Sequence, residues 1–398
     1  MRFLAVIFLF LSLCFRAQVN QVNNPSFEDY YDCLNPNYIA KAKYWNSLDT
    51  TKPAAAGDYF NTCYPLVPYT TSSFQYPRTG NGFILATFYC ASPTCISPSF
   101  RTYPRNRLKN YLTAGKVYCV KMFVNLTNTS PRAIDALEVH FGDITLDTIK
   151  YCLMKLTYLS SDVSNASGVI NDTLNWIEVS GTYTATGTEK YLVIGNFRSD
   201  AATTTSVTGV SGGLFSEYNI DDVSVIDFNL PASAGPDKNI FLGDSAFIGR
   251  PPEIGLECTW SSGTVSVGSG GGLWVKPNIP GTYSYVVTQN ICGNIKTDTV
   301  NVNVSPSSIN ENTLFSNSIA LYPQPAKDIV NISLNYFYET SIEVRVVDVN
   351  ARLVRSLELG VRSGTAQMQI SDISDGVYVL ELRNSLGQIA RKKLIITK

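Results

Sequence analysis

Three carboxylates stand out as candidates for chemistry in this 398-residue chain: Glu28 in Asn24-Pro-Ser-Phe-Glu28, and the adjacent Asp221 and Asp222 in Tyr218-Asn-Ile-Asp-Asp-Val-Ser-Val225. Hard oxygen donors of this kind suit Ca²⁺, which collects several carboxylate and carbonyl oxygens. Donors drawn from the first and last strands of one domain would also tie its ends together. The plain alternative is three solvated carboxylates at strand ends. A second set is aromatic. Sugar binding needs ring faces to lie against C–H surfaces, with amides or carboxylates for the hydroxyls. Tyr69, Phe74, Tyr76 and Tyr103 lie in a loop-rich segment, Pro65 to Arg107, that would present such faces. Trp45 and Trp176 read instead as core.

Catalysis has little to stand on. The single histidine, His140, sits in the strand-like Glu138-Val-His-Phe141 with no nucleophile motif beside it. Gly-x-Ser-x-Gly, His-Glu-x-x-His and phosphate-loop motifs do not occur. A carboxylate pair for glycoside hydrolysis is the one enzymatic route left open, since its members need not be neighbours in sequence. The expectation is therefore a non-catalytic protein.

Composition narrows the partners. Charged residues make up 16% of the chain and the net charge is −1, so the basic surface that nucleic acid or an anionic membrane requires is not expected. With 23 tyrosines, frequent Gly- and Thr-rich turns and no long amphipathic helical pattern, the composition is all-β. Met1–Leu13 has a basic start and an apolar run too short to span a membrane, and reads as a signal peptide cleaved after Ala17. Cys14 raises a lipoprotein alternative that Leu13 fits poorly. No other apolar run reaches transmembrane length, so a soluble mature chain is expected.

Of nine cysteines, Cys14 leaves with the signal peptide, and an even remainder in an exported chain argues for disulfides. Zinc competes weakly, because no Cys-x2-Cys pair exists and His140 is alone. Cys90 and Cys95 bracket Ala-Ser-Pro-Thr and would close a local loop. The remaining pairing of Cys33, Cys63, Cys119 and Cys152 is open.

The elements that must hold these residues are strands. Val117–Val124 is apolar on both faces, Trp176–Tyr183 alternates, and Lys190–Phe197 reads as buried. Two antiparallel sheets packed face to face are the natural arrangement. Near the end, Ile342–Val349, Leu353–Leu359, Gly376–Arg383 and Ile389–Ile396 form a second strand set, with Asn384-Ser-Leu-Gly387 as a hairpin.

On these residues, three family resemblances follow. The C-terminal stretch, with Leu321-Tyr-Pro-Gln-Pro-Ala326, Asp328-Ile-Val-Asn-Ile332, Gly376-Val-Tyr378, Gly387 and Lys392–Lys398, resembles the type A C-terminal sorting domain of type IX secretion substrates. The family usually has Asn where Gln324 stands and Leu-Pro where Ile373-Ser374 stand. The opening Asn24–Glu28, Leu112–Tyr118, Trp176 to Ala185 and Tyr218–Val225 resemble galactose-binding-like jelly-roll carbohydrate-binding modules. Residues 231 to 304, with Gly235-Pro-Asp, Cys258-Thr-Trp260 and Gly281–Val287, resemble an Ig-like or PKD-like sandwich.

The expected organisation is a signal peptide (1–17), a jelly-roll domain (18–229), an Ig-like domain (231–304), a polar linker (305–318) and a β-sandwich sorting module (319–398). The resemblances imply several things. The type IX secretion machinery would be a partner, and the destination would be the medium or the outer cell surface. Glu28 and one of Asp221 and Asp222 would belong to a structural calcium site. Cys258 and Cys292 would form a disulfide within the Ig-like domain. The jelly roll would bind an extracellular glycan, with a structural or adhesive role toward a surface protein as the alternative and a carbohydrate-active enzyme as the lesser one. Asp-Thr or Asp-Ser recurs at Thr50, Thr148, Thr173, Ser245 and Thr299, which resembles the O-glycosylation signal of exported bacterial proteins; turn chemistry explains the same pairs, and some of the five are expected to be buried.

Overall fold

A computed structural model describes residues 19–32, 38–48, 57–64, 67–70, 73–90, 100–149, 155–211, 213–306, 315–335, 341–385 and 387–398. The signal-peptide expectation falls on residues outside these. The described architecture is all-β: a jelly-roll sandwich, an Ig-like sandwich and a C-terminal sandwich. The chain divides into two compact units. The first holds residues 1–238, 246–275 and 283–302; the second holds 239–245, 276–282 and 303–398.

The jelly roll packs two five-stranded antiparallel sheets. One runs in the order Trp45–Ser47, Pro104–Arg107, Tyr191–Gly195, Glu138–Gly142, Val163–Ser164. The other runs Asp58–Asn61, Gly82–Cys90, Phe215–Asp227, Val117–Leu126, Ile177–Thr184. Alternation along each strand sends Tyr59, Ile84, Ala86, Met122, Val124, Tyr218 and Ile220 inward against Trp45, Val139, Leu192 and Ile194, which builds one continuous core. The Trp45 indole N–H donates to the Asn24 carbonyl at 2.9 Å, so its one polar atom is satisfied in the apolar setting. The same alternation turns Phe60, Phe83 and Leu85 to the outer face of the second sheet.

The middle sandwich has a sheet ordered Lys238–Phe241, Asn294–Ser305, Gly281–Ile291, Glu257–Ser262, Val265–Ser269, and a two-stranded sheet of Ala246–Gly249 with Gly272–Val275. Within the first unit, jelly roll and middle sandwich are fastened covalently by Cys119–Cys292, 173 residues apart in sequence. Lys121 of the jelly roll, almost buried, pairs with Glu178 at 3.3 Å and with Glu257 of the middle sandwich at 2.8 Å. Glu253 accepts the backbone N–H groups of Val19 and Asn20 at 2.9 and 2.7 Å. Gly255 lies so close to Ser224 that a Cβ there would come within 2.1 Å of the hydroxyl.

This bond corrects the expected Cys258–Cys292 pair. Cys258 lies opposite Gln289 within the sheet, buried and with a free thiol. Cys292 stands one residue past the strand Gly281–Ile291, in a left-handed turn at φ 48°, where its sulfur reaches the jelly roll. Cys63 and Cys90 are also disulfide-bonded. Cys33, Cys95 and Cys152 lie outside the described residues, and so does the closure expected between Cys90 and Cys95.

In the second unit, a three-stranded sheet (Ile319–Tyr322, Ile329–Leu334, Thr365–Gln369) packs on a four-stranded one ordered Leu353–Gly360, Ser341–Asp348, Gly376–Arg383, Ile389–Ile396. Gln324, at the family's usual Asn, bonds the last strand twice: its Nε2 donates to the Lys393 carbonyl at 3.0 Å and its Oε1 accepts the Ile395 N–H at 3.0 Å. The longer amide therefore fills the place without loss of pairing.

Candidate functional site

The outer face of the second jelly-roll sheet carries an aromatic floor. Phe60 and Phe83 stack at 5.4 Å, and Trp176 meets Phe83 edge-on at 6.2 Å. The segment after the strand Asp58–Asn61 is drawn across this floor. Its described part turns back at a hairpin-like bend, where Tyr69 bridges Phe74, Thr70 N–H donates to the Ser73 carbonyl and Gln75 N–H donates to the Pro68 carbonyl. From Ser73 the chain runs extended, and burial alternates with a period of two. Ser73 and Gln75 point down; Phe74 and Tyr76 point out.

The outward rings form one contiguous surface. Tyr69, Phe74 and Tyr76 are 67%, 44% and 59% exposed. Tyr69 and Phe74 are 4.9 Å apart and Phe74 and Tyr76 are 5.9 Å apart, both pairs edge-to-face. Amides below hold the segment in place. Asn128 Oδ1 accepts the Phe74 N–H at 2.8 Å, Asn219 Nδ2 donates to Ser73 Oγ at 3.1 Å, and the Trp176 indole donates to the Tyr76 carbonyl at 3.2 Å. Asn128 is exposed beside the rings and its oxygen faces the chain. The same oxygen lies 3.4 Å from the Ser73 hydroxyl. Sequence reasoning missed Asn128, because nothing local distinguishes it from any other turn amide.

The three carboxylates serve this segment. Arg78, two residues beyond Tyr76, lays its guanidinium on the Phe123 ring at 3.4 Å and donates to Asp222 at 2.5 Å. Thr79 Oγ donates to the other Asp222 oxygen at 2.6 Å. Asp221 accepts the backbone N–H groups of Arg78 and Thr79 at 2.8 and 3.3 Å. A bulge in the strand Phe215–Asp227 between Asp221 and Ser224, with Asp222 at φ 51°, turns both side chains toward the segment. Burial, with the Asp222 charge beside it, holds the Asp221 carboxyl well above the usual carboxylate range. Glu28 accepts the N–H groups of Asn81 and Gly82 at 2.7 and 2.8 Å, and Gly80 leaves room for its carboxylate.

In this structure the carboxylates expected to hold calcium are engaged by donors of the protein itself. Asp222 already faces a cation of the protein, and Glu28 is filled by backbone donors. Among the described residues, no group of three or more His, Cys, Asp or Glu side chains could hold a metal ion.

Tyr103 does not belong with the other rings. It is 4% exposed, packs on Phe197 at 5.5 Å behind the opposite sheet, and donates its hydroxyl to the Asn196 carbonyl. Burial pushes its phenol up. His140 Nδ1 lies 2.8 Å from the Ser160 carbonyl and 3.2 Å from Asp162, which is a structural setting. Of the modification candidates, Thr148, Ser245 and Thr299 are exposed, Thr173 is half-buried and Thr50 lies outside the described residues. None of the four described is buried: Thr148 lies on a short 3₁₀ turn, Thr173 on a bend, Ser245 just before the strand Ala246–Gly249, and Thr299 at an exposed position within the strand Asn294–Ser305.

Comparison with known proteins gives one family match, at the C-terminal end. Residues 320–397 match the family model described as the secretion system C-terminal sorting domain. That module marks the chain as exported to the cell surface or secreted, and no helix among the described residues is long and apolar enough to cross a membrane. No curated protein matches. Among solved structures, the CBM22-1 xylan-binding domain of Xyn10C from Paenibacillus barcinonensis is 13% identical with a TM-score of 0.29, and the match covers 53% of this chain and 97% of that one. The CBM22-1–GH10 modules of the Clostridium thermocellum xylanase Xyn10B, complexed with xylohexaose, are 14% identical at a TM-score of 0.28, with 56% of this chain and 33% of that one covered. SGBP-B of the Bacteroides ovatus mixed-linkage glucan utilization locus, in complex with a mixed-linkage heptasaccharide, is 13% identical at a TM-score of 0.15, covering 42% of this chain and 43% of that one.

Proposed function

We propose that this is a non-catalytic protein, exported through the type IX route, whose jelly roll binds a neutral extracellular glycan on Tyr69, Phe74 and Tyr76. One observation carries the reading: three exposed rings in mutual contact on a segment fixed from below. Exposed aromatic surface is unfavourable unless something covers it. Rings of this kind offer faces to sugar C–H groups, while the two phenol hydroxyls and the Asn128 amide stand ready for sugar hydroxyls. Arg78 is the nearest cation on the segment, and its guanidinium is spent on Asp222 and Phe123.

The test is a glycan array probed with the mature chain, with and without chelator. Saturable binding to a neutral glycan is expected, equal in both conditions, because protein donors already satisfy the carboxylates. Tyr76→Ala and Tyr69→Ala should each weaken it about tenfold, equivalent to ~1.4 kcal/mol. An array that stays blank, or binding untouched by both changes, would favour an adhesive role in which the same rings meet a protein.

A further inference from the structure

A second aromatic feature lies on the middle sandwich and takes no part in the ring surface above. The two-stranded sheet sets Phe247 directly opposite Trp274. Alternation buries Ala246, Ile248 and Val275 and leaves Phe247 and Trp274 on the other face. Their rings are 5.5 Å apart and inclined at 59°. The Phe247 ring lies across Gly272, where a Cβ would come within 2.3 Å of Phe247 Cζ, so glycine at 272 is what lets the ring lie down.

Phe247 by itself covers the glycine of this short sheet. Trp274 is left 69% exposed, although Trp45 and Trp260 are fully buried. An indole held in water forgoes at least the ~1.5–3 kcal/mol that burial of a smaller apolar side chain yields. The surroundings say what would cover it. The chain enters the strand as Ser269-Gly-Gly-Gly272 and leaves the partner strand as Arg250-Pro-Pro252, so the two rings stand on a shelf of glycine backbone. Two rings alone fall well short of the apolar area, several hundred Å², that marks a protein-docking face. Of the cations flanking the two strands, Arg250 is committed to the Pro231 carbonyl at 2.8 Å, and Lys276 is exposed two residues beyond Trp274.

We infer that Phe247 and Trp274 form a second glycan platform, shaped for one face of a sugar residue. It belongs to the same compact unit as the Tyr69–Tyr76 surface, and the Cys119–Cys292 bond fastens the two sandwiches together. One polysaccharide chain held at two points gains avidity on the order of 10²–10⁴ over either contact alone.

The test uses the mature chain, with xylohexaose and a mixed-linkage glucan heptasaccharide as soluble probes, and insoluble xylan and mixed-linkage glucan as retention media. Of four tryptophans, two are buried, so acrylamide quenching of fluorescence reads Trp274 and, to a lesser degree, Trp176. A Trp274→Phe variant separates these two. The probes should shield wild-type fluorescence from acrylamide, the shielding should persist in the Tyr69→Ala/Tyr76→Ala variant, and it should vanish in Trp274→Phe. Trp274→Ala should cut retention by at least about tenfold. Absence of shielding by either probe, together with unchanged retention of Trp274→Ala, overturns the platform. Retention abolished by the tyrosine changes alone would leave the jelly-roll reading standing while this one falls; retention lost only with Trp274 would do the reverse.

Discussion

Replacing Arg78 with alanine is expected to destabilise the jelly roll by about 3 kcal/mol and to abolish ring-dependent binding in the same step. Asp222 is 1% exposed and would be left buried without its cation, beside a second buried carboxyl, Asp221. Removal of one partner from a buried pair costs ~3–5 kcal/mol, and the low end applies because Arg78 keeps 35% of its side chain in water. The stacking on Phe123 goes with it. Tyr76 lies two residues upstream, so the rings lose the anchor that fixes their spacing. Arg78→Lys should recover part of the loss, since it restores charge without the planar stack. Asp222→Asn should cost less than Arg78→Ala, because it relieves the repulsion on Asp221 and keeps an acceptor for Thr79. Denaturant unfolding and glycan titration of the three variants measure both effects. An Arg78→Ala protein within 0.5 kcal/mol of wild type, a surface-substitution value, would show that the pair does not hold the segment.

Loss of the Cys119–Cys292 bond has the next largest expected effect. A link that closes a loop of 173 residues restricts the unfolded chain by about 5 kcal/mol in the chain-entropy account. Native contacts across the same junction include Lys121 with Glu257, Glu253 with the Val19 and Asn20 amides, the Asn294 amide donating to the Phe228 carbonyl at 2.8 Å, and the close approach of Gly255 to Ser224. The ion pairs and hydrogen bonds among them are partly solvated, and a single glycine contact adds little apolar burial, so they do not replace the bond. The Cys119→Ala/Cys292→Ser variant should therefore unfold in two calorimetric steps where the bonded protein shows jelly roll and middle sandwich melting together. Coincident melting at an unchanged midpoint would mean that packing alone couples them. The middle sandwich, by either result, is more than a spacer: it supplies Glu253, Glu257 and Cys292 to the same compact unit.

What the amino-acid order settled unaided was local. The strands expected at Gly376–Arg383 and Ile389–Ile396 are found with those bounds, Val117–Val124 and Leu353–Leu359 differ from the observed strands by one or two residues at one end, and Ile342–Val349 differs by one residue at each end. Two-residue alternation is written in neighbouring side chains, so it is legible before any fold exists. The order of motifs in the last eighty residues likewise pointed to a sorting module, which the family match over 320–397 bears out. Tertiary structure decided everything that depends on what faces what. Tyr69 and Tyr103 are the same residue type in one loop-rich segment, yet the first is drawn outside a sheet face and the second is packed behind the opposite sheet. Cys292 could be paired by local spacing only with Cys258, because its real partner stands 173 residues away on another sandwich. Asp221 and Asp222 carry oxygens that suit a metal or a guanidinium equally well. Arg78, 144 residues earlier, is brought to them by the segment folding across the sheet, and no period or motif near either residue records that approach.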